Sequence, residues 1–172
     1  MVSWYVLNMN NLKNKNILLC ITGSIAAYKA CDLLRILRKE EVNVQVAMTP
    51  SALQFVGETS FSALSNHDVI TTIFPSKKGE TGLEHVNLAI DLDAIIVAPA
   101  TANVLGKCSN GIADDSVSTL LSICEQPVIF APAMNFRMWQ NKSTINAVAD
   151  LKNRGKIVMN PQEGKLASLH EG

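Results

Sequence analysis

The chain has 172 residues, 48% apolar and 17% charged, with 15 basic and 15 acidic side chains. That is enough for one domain with a sizeable core, and a formal charge of zero removes the electrostatic case for nucleic acid or an anionic membrane as partner. No run approaches the ~18 apolar residues of a membrane span, and the start lacks the basic lead and cleavage site of a signal peptide.

From residue 15 onward apolar runs alternate with helical patterns, which argues for a parallel sheet covered on both faces. Residues 1–14 read as a loose leader. The spacing predicts a strand over 16–22 and a helix over 24–39, with Ile25, Leu33, Leu34, Ile36 and Leu37 as the inward stripe. A second strand covers 42–48, with Val42, Val44, Val46 and Met48 on one side. Thr49-Pro50 is a capping hydroxyl followed by proline at a first turn. A helix is expected from there through Leu53 toward Leu64, broken at Gly57. Next come a short strand over 69–74, a loop over 75–82 rich in Lys and Gly and a short helix over 83–91. A buried strand over 93–98 leads to helices over 101–107 and 115–123, around the turn Asn110-Gly111. The order closes with a strand over 128–131, a helix over 143–153 ended by Gly155 and a strand over 156–159. Residues 161–172 have no periodicity, and neither a repeat nor an internal domain boundary is visible.

Cys20, Cys31, Cys108 and Cys124 form no Cys-x-x-Cys pair. They read as reduced, mostly buried thiols of a cytoplasmic protein. His and Cys show no ligand spacing, so no metal site is expected. The neutral, apolar composition fits self-association.

Residues that point to chemistry gather at strand ends. At Thr22-Gly23-Ser24 a strand stops, a glycine permits a tight turn and a helix begins, so unpaired N–H groups face an anion-sized space. An ordinary capped helix fits the same residues, and no dinucleotide or P-loop pattern is present. Thr49 and Ser51 end the next strand on the same sheet edge with further hydroxyls. Ala98-Pro99-Ala100-Thr101-Ala102-Asn103 is small enough for a flat ring to approach, with Thr101 and Asn103 able to hydrogen-bond it; alone it is equally a turn. Pro132-Ala133-Met134-Asn135-Phe136-Arg137-Met138-Trp139 follows the apolar run 127–131. It reads either as a pocket wall with one orienting amide or as a hydrophobic helix start. His85 is a candidate acid/base group near neutral pH, or an ordinary helix-start residue. His67 and His170 have no chemical surroundings in the sequence.

Together, Gly23-Ser24-Ile25-Ala26-Ala27-Tyr28-Lys29, Glu84-His85-Val86, Pro99-Ala100-Thr101-Ala102-Asn103 and the octet 132–139 resemble, in order and spacing, the homo-oligomeric flavin-containing cysteine decarboxylases, especially the phosphopantothenoylcysteine decarboxylase branch. The resemblance runs from about residue 15 to the end. It implies an α/β fold: a three-layer Rossmann-like or flavodoxin-like parallel sheet with helices on both faces. Residues 15–160 would be an FMN-binding flavoprotein domain and 161–172 part of a substrate clamp. By motif match, Gly23, Ser24 and Ile25 would hold the FMN phosphate with Thr49 and Ser51. Phe55 would join the cofactor site, and Thr101, Ala102, Asn103 and Val104 would lie against the flavin ring. His85 matches the catalytic histidine. Asn135 matches the asparagine that binds the substrate carboxylate, with Ala133, Met134 and Ala167 as further substrate contacts. The implied substrate is 4′-phosphopantothenoylcysteine, in coenzyme A biosynthesis. The implied assembly is a homotrimer, often built into a dodecamer, with sites between subunits.

The implied chemistry explains these residue types. Loss of CO2 from a cysteine carboxylate needs an electron sink, which oxidation of the thiol-bearing carbon to a thioaldehyde supplies, with flavin as acceptor. Asn135 would fix the carboxylate without a positive charge, and His85 would handle a proton. In biosynthetic members a clamp cysteine then donates a proton as the enethiol is reduced. Here Ser168 holds that position, and a hydroxyl is a far weaker acid, so arrest at the enethiol is the alternative, as in peptidyl-cysteine decarboxylases. A flavin-binding regulatory subunit is a further alternative, although the acidic extensions usual there are missing from this sequence. A flavin prenyltransferase shares the elbow but not the Asn135 octet. The biosynthetic proteins continue past the clamp, often into a ligase domain, so a piece of a longer protein is expected.

Overall fold

The computed structural model describes residues 12–73 and 91–161. Five parallel strands, β1 (Asn16–Ile21), β2 (Asn43–Met48), β3 (Ala94–Ala100), β4 (Val128–Pro132) and β5 (Ile157–Val158), form one sheet in the order β2-β1-β3-β4-β5. Around it lie α1 (Lys29–Lys39), α2 (Glu58–Ser65), α3 (Ala102–Asn110), α4 (Ser116–Ile123), α5 (Phe136–Trp139) and α6 (Lys142–Asn153).

β1 is buried from Ile17 to Ile21, so both of its faces need cover. Successive side chains point to opposite faces, and the core divides accordingly. Ile17, Leu19 and Ile21, with Val44, Val46 and Met48, pack under Ala30, Leu34 and Leu37 of α1 and Phe61 of α2. Leu18 and Cys20, with Ile95, Val97, Val128 and Phe130, pack under α3, α4 and α6 through Leu105, Leu120 and Leu151. The register agrees: Ile17, Leu19 and Ile21 pair with Val44, Val46 and Met48. The three-layer expectation is met, in the flavodoxin-like strand order. The chain steps from β1 outward to β2, then returns to the other side of β1 as β3. In sheets of this kind ligands bind outside the strand carboxyl ends where the order reverses.

Several local expectations need correction. The helix expected over 24–39 begins as a 3-10 turn, Ile25–Tyr28, capped by Ser24. That turn resets the phase, so the buried stripe is Ala27, Ala30, Leu34 and Leu37, while Ile25 and Ile36 are each 60% exposed. Thr49-Pro50 starts only a short 3-10 turn, Ala52–Gln54, and the true helix is α2, which starts after Gly57. The strand expected over 69–74 reduces, among the described residues, to one bridge between Ile70 and Ala47. β5 is two residues rather than four. The 75–82 loop lies outside the described residues. So does the 83–91 helix apart from Asp91, which is not helical. Asp115 caps α4 with a reciprocal box through Ser118. The Lys107 ammonium, on α3, pairs with Asp115 at 2.7 Å and also with Asp114.

Candidate functional site

The first cradle is built where β1 and β2 end. A Cβ on Gly23 would sit 2.5 Å from Ser51 Oγ, 2.6 Å from its Cβ and 3.0 Å from its carbonyl carbon. Gly23 is not among the positive-φ residues. The glycine is therefore needed for close approach, not for the turn geometry the sequence implies. Thr49 Oγ1 lies 3.1 Å from Ser51 Oγ and accepts from Ala52 N at 3.2 Å. Gly23, Ser24, Thr49 and Ser51 are thus brought together. Among the described residues, no acceptor is recorded for the N–H groups of Gly23 and Ile25. N–H groups without a protein acceptor beside a pair of hydroxyls are what an anion needs. Phe55, 48% exposed, follows the Ala52–Gln54 turn and flanks this edge.

The β3 and β4 ends are stitched to this cradle. Thr22, only 1% exposed, donates from Oγ1 to Pro99 O at 2.7 Å and accepts from Thr101 N at 3.2 Å. Its Oγ1 also lies 3.2 Å from Thr101 Oγ1. Thr101 Oγ1 in turn caps α3 by accepting from Val104 N. Ala133 N donates to Ala100 O at 3.1 Å. Ser24 Oγ closes the circuit, accepting from Ala26 N and donating to Ala133 O, each at 3.3 Å. One ring of hydrogen bonds therefore runs through the ends of β1, β3 and β4. A register shift between Val97 and Ala100 lets the β3 end turn toward Pro132.

Asn135 sits on that ring's outer side and caps α5, accepting at Oδ1 from Arg137 N at 2.8 Å. The cap uses the amide oxygen and so orients the amide. The helix-start reading of the octet is therefore met, with the Asn135 amide held at a strand end. Met134 and Trp139 pack against the core, while Phe136 and Met138 are 53% and 48% exposed. Thr101, Ala102 and Ala133 are half-buried and Asn103 is exposed. Val104 turns into the core at 2% exposure, so its side chain supports α3 from beneath. His85, Ser168 and Ala167 lie outside the described residues.

No described cysteine is an activated nucleophile. Burial pushes the Cys20 and Cys124 thiols up and Cys108 to about 11; burial also raises Cys31. All four are free thiols. Among the described residues, no group of three or more His, Cys, Asp or Glu could hold a metal. No described helix is long and apolar enough to cross a membrane. A separate cavity, bounded by Val128 at the start of β4 and by Lys156 just before β5, is lined in part by Cys108 and Cys124 and by none of the residues matched to the flavin or substrate site.

The sequence matches the family described as Flavoprotein over residues 6–172. The chain belongs to the Flavoprotein family. It is 44% identical over 161 residues to the Coenzyme A biosynthesis bifunctional protein CoaBC of Bacillus subtilis, covering 94% of this chain and 39% of that protein. It is 40% identical over 158 residues to the protein of the same name from Mycobacterium bovis, covering 92% of this chain and 37% of that one. This Flavoprotein chain thus spans less than half the length of these relatives. Its fold is similar to that of the FMN-dependent cysteine decarboxylase SpaF, with a TM-score of 0.82 at 30% identity over 89% of this chain and 87% of that one. It is equally similar to a PPC decarboxylase carrying a cysteine-to-serine substitution and complexed with pantothenoylaminoethenethiol. There the TM-score is 0.80 at 29% identity, over 93% of this chain and 89% of that one.

Sequence reasoning passed over the closing members of the ring. Thr22 marks only a strand end in the sequence, 77 residues before its acceptor at Pro99. The one available signal is a hydroxyl residue where a buried strand would otherwise continue apolar.

Proposed function

We propose that this chain is an FMN-dependent decarboxylase of 4′-phosphopantothenoylcysteine, acting in coenzyme A biosynthesis in the cytoplasm. The observation that carries this reading is the ring itself, which sets an anion cradle and an oriented amide on one sheet edge. The cradle fits the phosphate end of FMN: a Cβ at Gly23 would fill it, and the Thr49–Ser51 hydroxyl pair keeps one proton to donate. The small residues Pro99 to Ala102 fit the edge of a flat ring. The names of the relatives support cofactor and substrate class together.

When bound, FMN supplies the two-electron oxidation that converts the thiol-bearing carbon to a thioaldehyde. The chain's residues do the rest. Gly23 and Ile25 N–H groups, with the Thr49 and Ser51 hydroxyls, hold the phosphate. Asn135 donates N–H to the substrate carboxylate and leaves it free to depart as CO2, where a cation would hold it back. His85 moves the proton. Ala133 and Met134 present the strand end to the substrate. Ala167 and Ser168 belong to the clamp. We assign residues 15–160 to the flavoprotein unit. We further propose a homotrimer with sites between subunits, open to assembly as a dodecamer, because Ile25, Phe55, Phe136 and Met138 are exposed at the same sheet edge.

A second reading, arrest at the enethiol, is favoured by Ser168. The PPC decarboxylase relative with serine in place of a cysteine is the one complexed with an aminoethenethiol. Incubation with phosphopantothenoylcysteine and mass analysis of the product separates the two. Loss of CO2 alone establishes the complete reaction, and loss of CO2 with two further hydrogens establishes arrest. An untouched substrate, while a cysteine-ended peptide loses CO2 and two hydrogens, overturns the first reading and makes the chain a peptidyl-cysteine decarboxylase that yields an aminoenethiol.

A further inference from the structure

We propose that Thr22 is a positioning residue for the flavin-ring wall, acting through Pro99 and Thr101. This rests on the reading that FMN occupies the β1/β3 strand ends. A hydroxyl has one proton, and the 2.7 Å distance assigns it to Pro99 O. The lone pairs then face Thr101 N and Thr101 Oγ1, both at 3.2 Å. Thr101 Oγ1 accepts from Val104 N, so the first turn of α3 hangs on the same atom cluster. Thr22 is only 1% exposed, and its hydroxyl is engaged by Pro99 and Thr101. That hydroxyl sets the height and tilt of Pro99-Ala100-Thr101, the segment a flat ring must lie against.

A hydroxyl in a buried strand is costly unless every bond is made. At Thr22 they are made, all to one loop on the neighbouring strand. A purely structural side chain here would be apolar, like Leu18 and Cys20, the buried residues on the same face of β1. The threonine therefore trades apolar packing for control of the loop.

The test uses Thr22→Val, which keeps the shape and removes the hydroxyl, and Thr22→Ser, which keeps the hydroxyl. The probes are FMN and riboflavin, followed by flavin fluorescence quenching and the visible absorption bands. Thermal unfolding is recorded for each variant. Loss of the hydroxyl leaves Pro99 O unsatisfied, so T22V is expected to fold but weaken both ligands by roughly tenfold, with altered flavin bands. T22S is expected to bind both within about threefold of wild type, the allowance for one lost buried methyl. Equal loss for FMN and riboflavin places the effect on the ring wall. Loss confined to FMN places it on the phosphate cradle and overturns the proposal. So do wild-type binding by T22V, a comparable loss in T22S, or a T22V protein that does not fold. If the wild-type protein binds neither flavin, the FMN reading itself fails and takes this proposal with it.

Discussion

Gly23 and Ser51 touch so closely that one methyl decides whether the cradle exists. Gly23→Ala would bring a Cβ within 2.6 Å of the Ser51 Cβ, which side-chain rotation does not relieve. The elbow must open, and FMN affinity is expected to fall at least roughly tenfold in a fluorescence titration. Asn135 offers a cleaner separation of fold from function. Asp caps a helix as well as Asn, so Asn135→Asp should leave thermal stability nearly unchanged. It removes the N–H donors and sets a negative charge against the substrate carboxylate. The expected cost is about 3 kcal/mol, or roughly 100-fold in kcat/KM, with FMN still bound. Steady-state kinetics on the FMN-loaded protein checks it. Asn135 was legible as a candidate because an amide in an apolar octet is conspicuous. Thr22 was not, because nothing local marks a threonine whose partners are 77 and 79 residues away.

At the scale of elements, caps fix the helix starts that line the strand ends. Ser24, Thr101, Asp115, Asn135 and Asn141 all accept a backbone N–H at a helix start. Thr101 and Asp115 read as first helical residues, and the capping hydroxyl the sequence points to is Thr49; of the five, Ser24 was readable as a cap, since a short polar residue before an apolar run is its sequence mark. The partner of the Asp115 cap was not. Burial alone would raise the Asp115 carboxyl, but hydrogen bonds from Lys107 and Ser118 outweigh it and hold it below the usual value. A carboxyl depressed in the folded state stabilises fully above its unfolded pKa and loses that contribution as pH falls through the folded one. Asp115→Asn keeps the cap and removes the charge. It should cost about 1 kcal/mol at neutral pH and flatten the loss of stability between roughly pH 5 and pH 3. Urea unfolding across that range reads both effects. The misplaced stripe on the first helix has a similar origin. A 3-10 opening, Ile25–Tyr28, advances fewer residues per turn than an α-helix, so the α1 period does not extend back to Ile25; Ile36, within α1, lies about 200° around the helix from Leu34 and so off the Leu34–Leu37 stripe.

For the whole molecule, the strand order assembles the site. Thr22, Thr49, Ala100 and Pro132 end or follow four successive strand positions at one sheet edge. The same edge carries exposed Ile25, Tyr28, Phe55, Phe136 and Met138, side chains suited to a subunit contact. Sedimentation at micromolar concentration should therefore return a mass that is a multiple of three chains. Met138→Glu should lower that mass while leaving far-UV circular dichroism intact. A wild-type protein that stays monomeric under these conditions removes the trimer reading.

Sequence alone determined the alternating βα plan, the doubly buried strands and the four segments that resemble a flavin-containing cysteine decarboxylase. Periodicity is local, so it is written within a dozen residues of where it acts. Only the tertiary structure decided that Gly23 is there for Ser51, that Ile25 and Ile36 face outward, and that Thr22, Ser24, Ala100 and Ala133 close one ring. Those contacts join strands through crossovers of many residues, and a parallel sheet brings such positions together without any local spacing that records it.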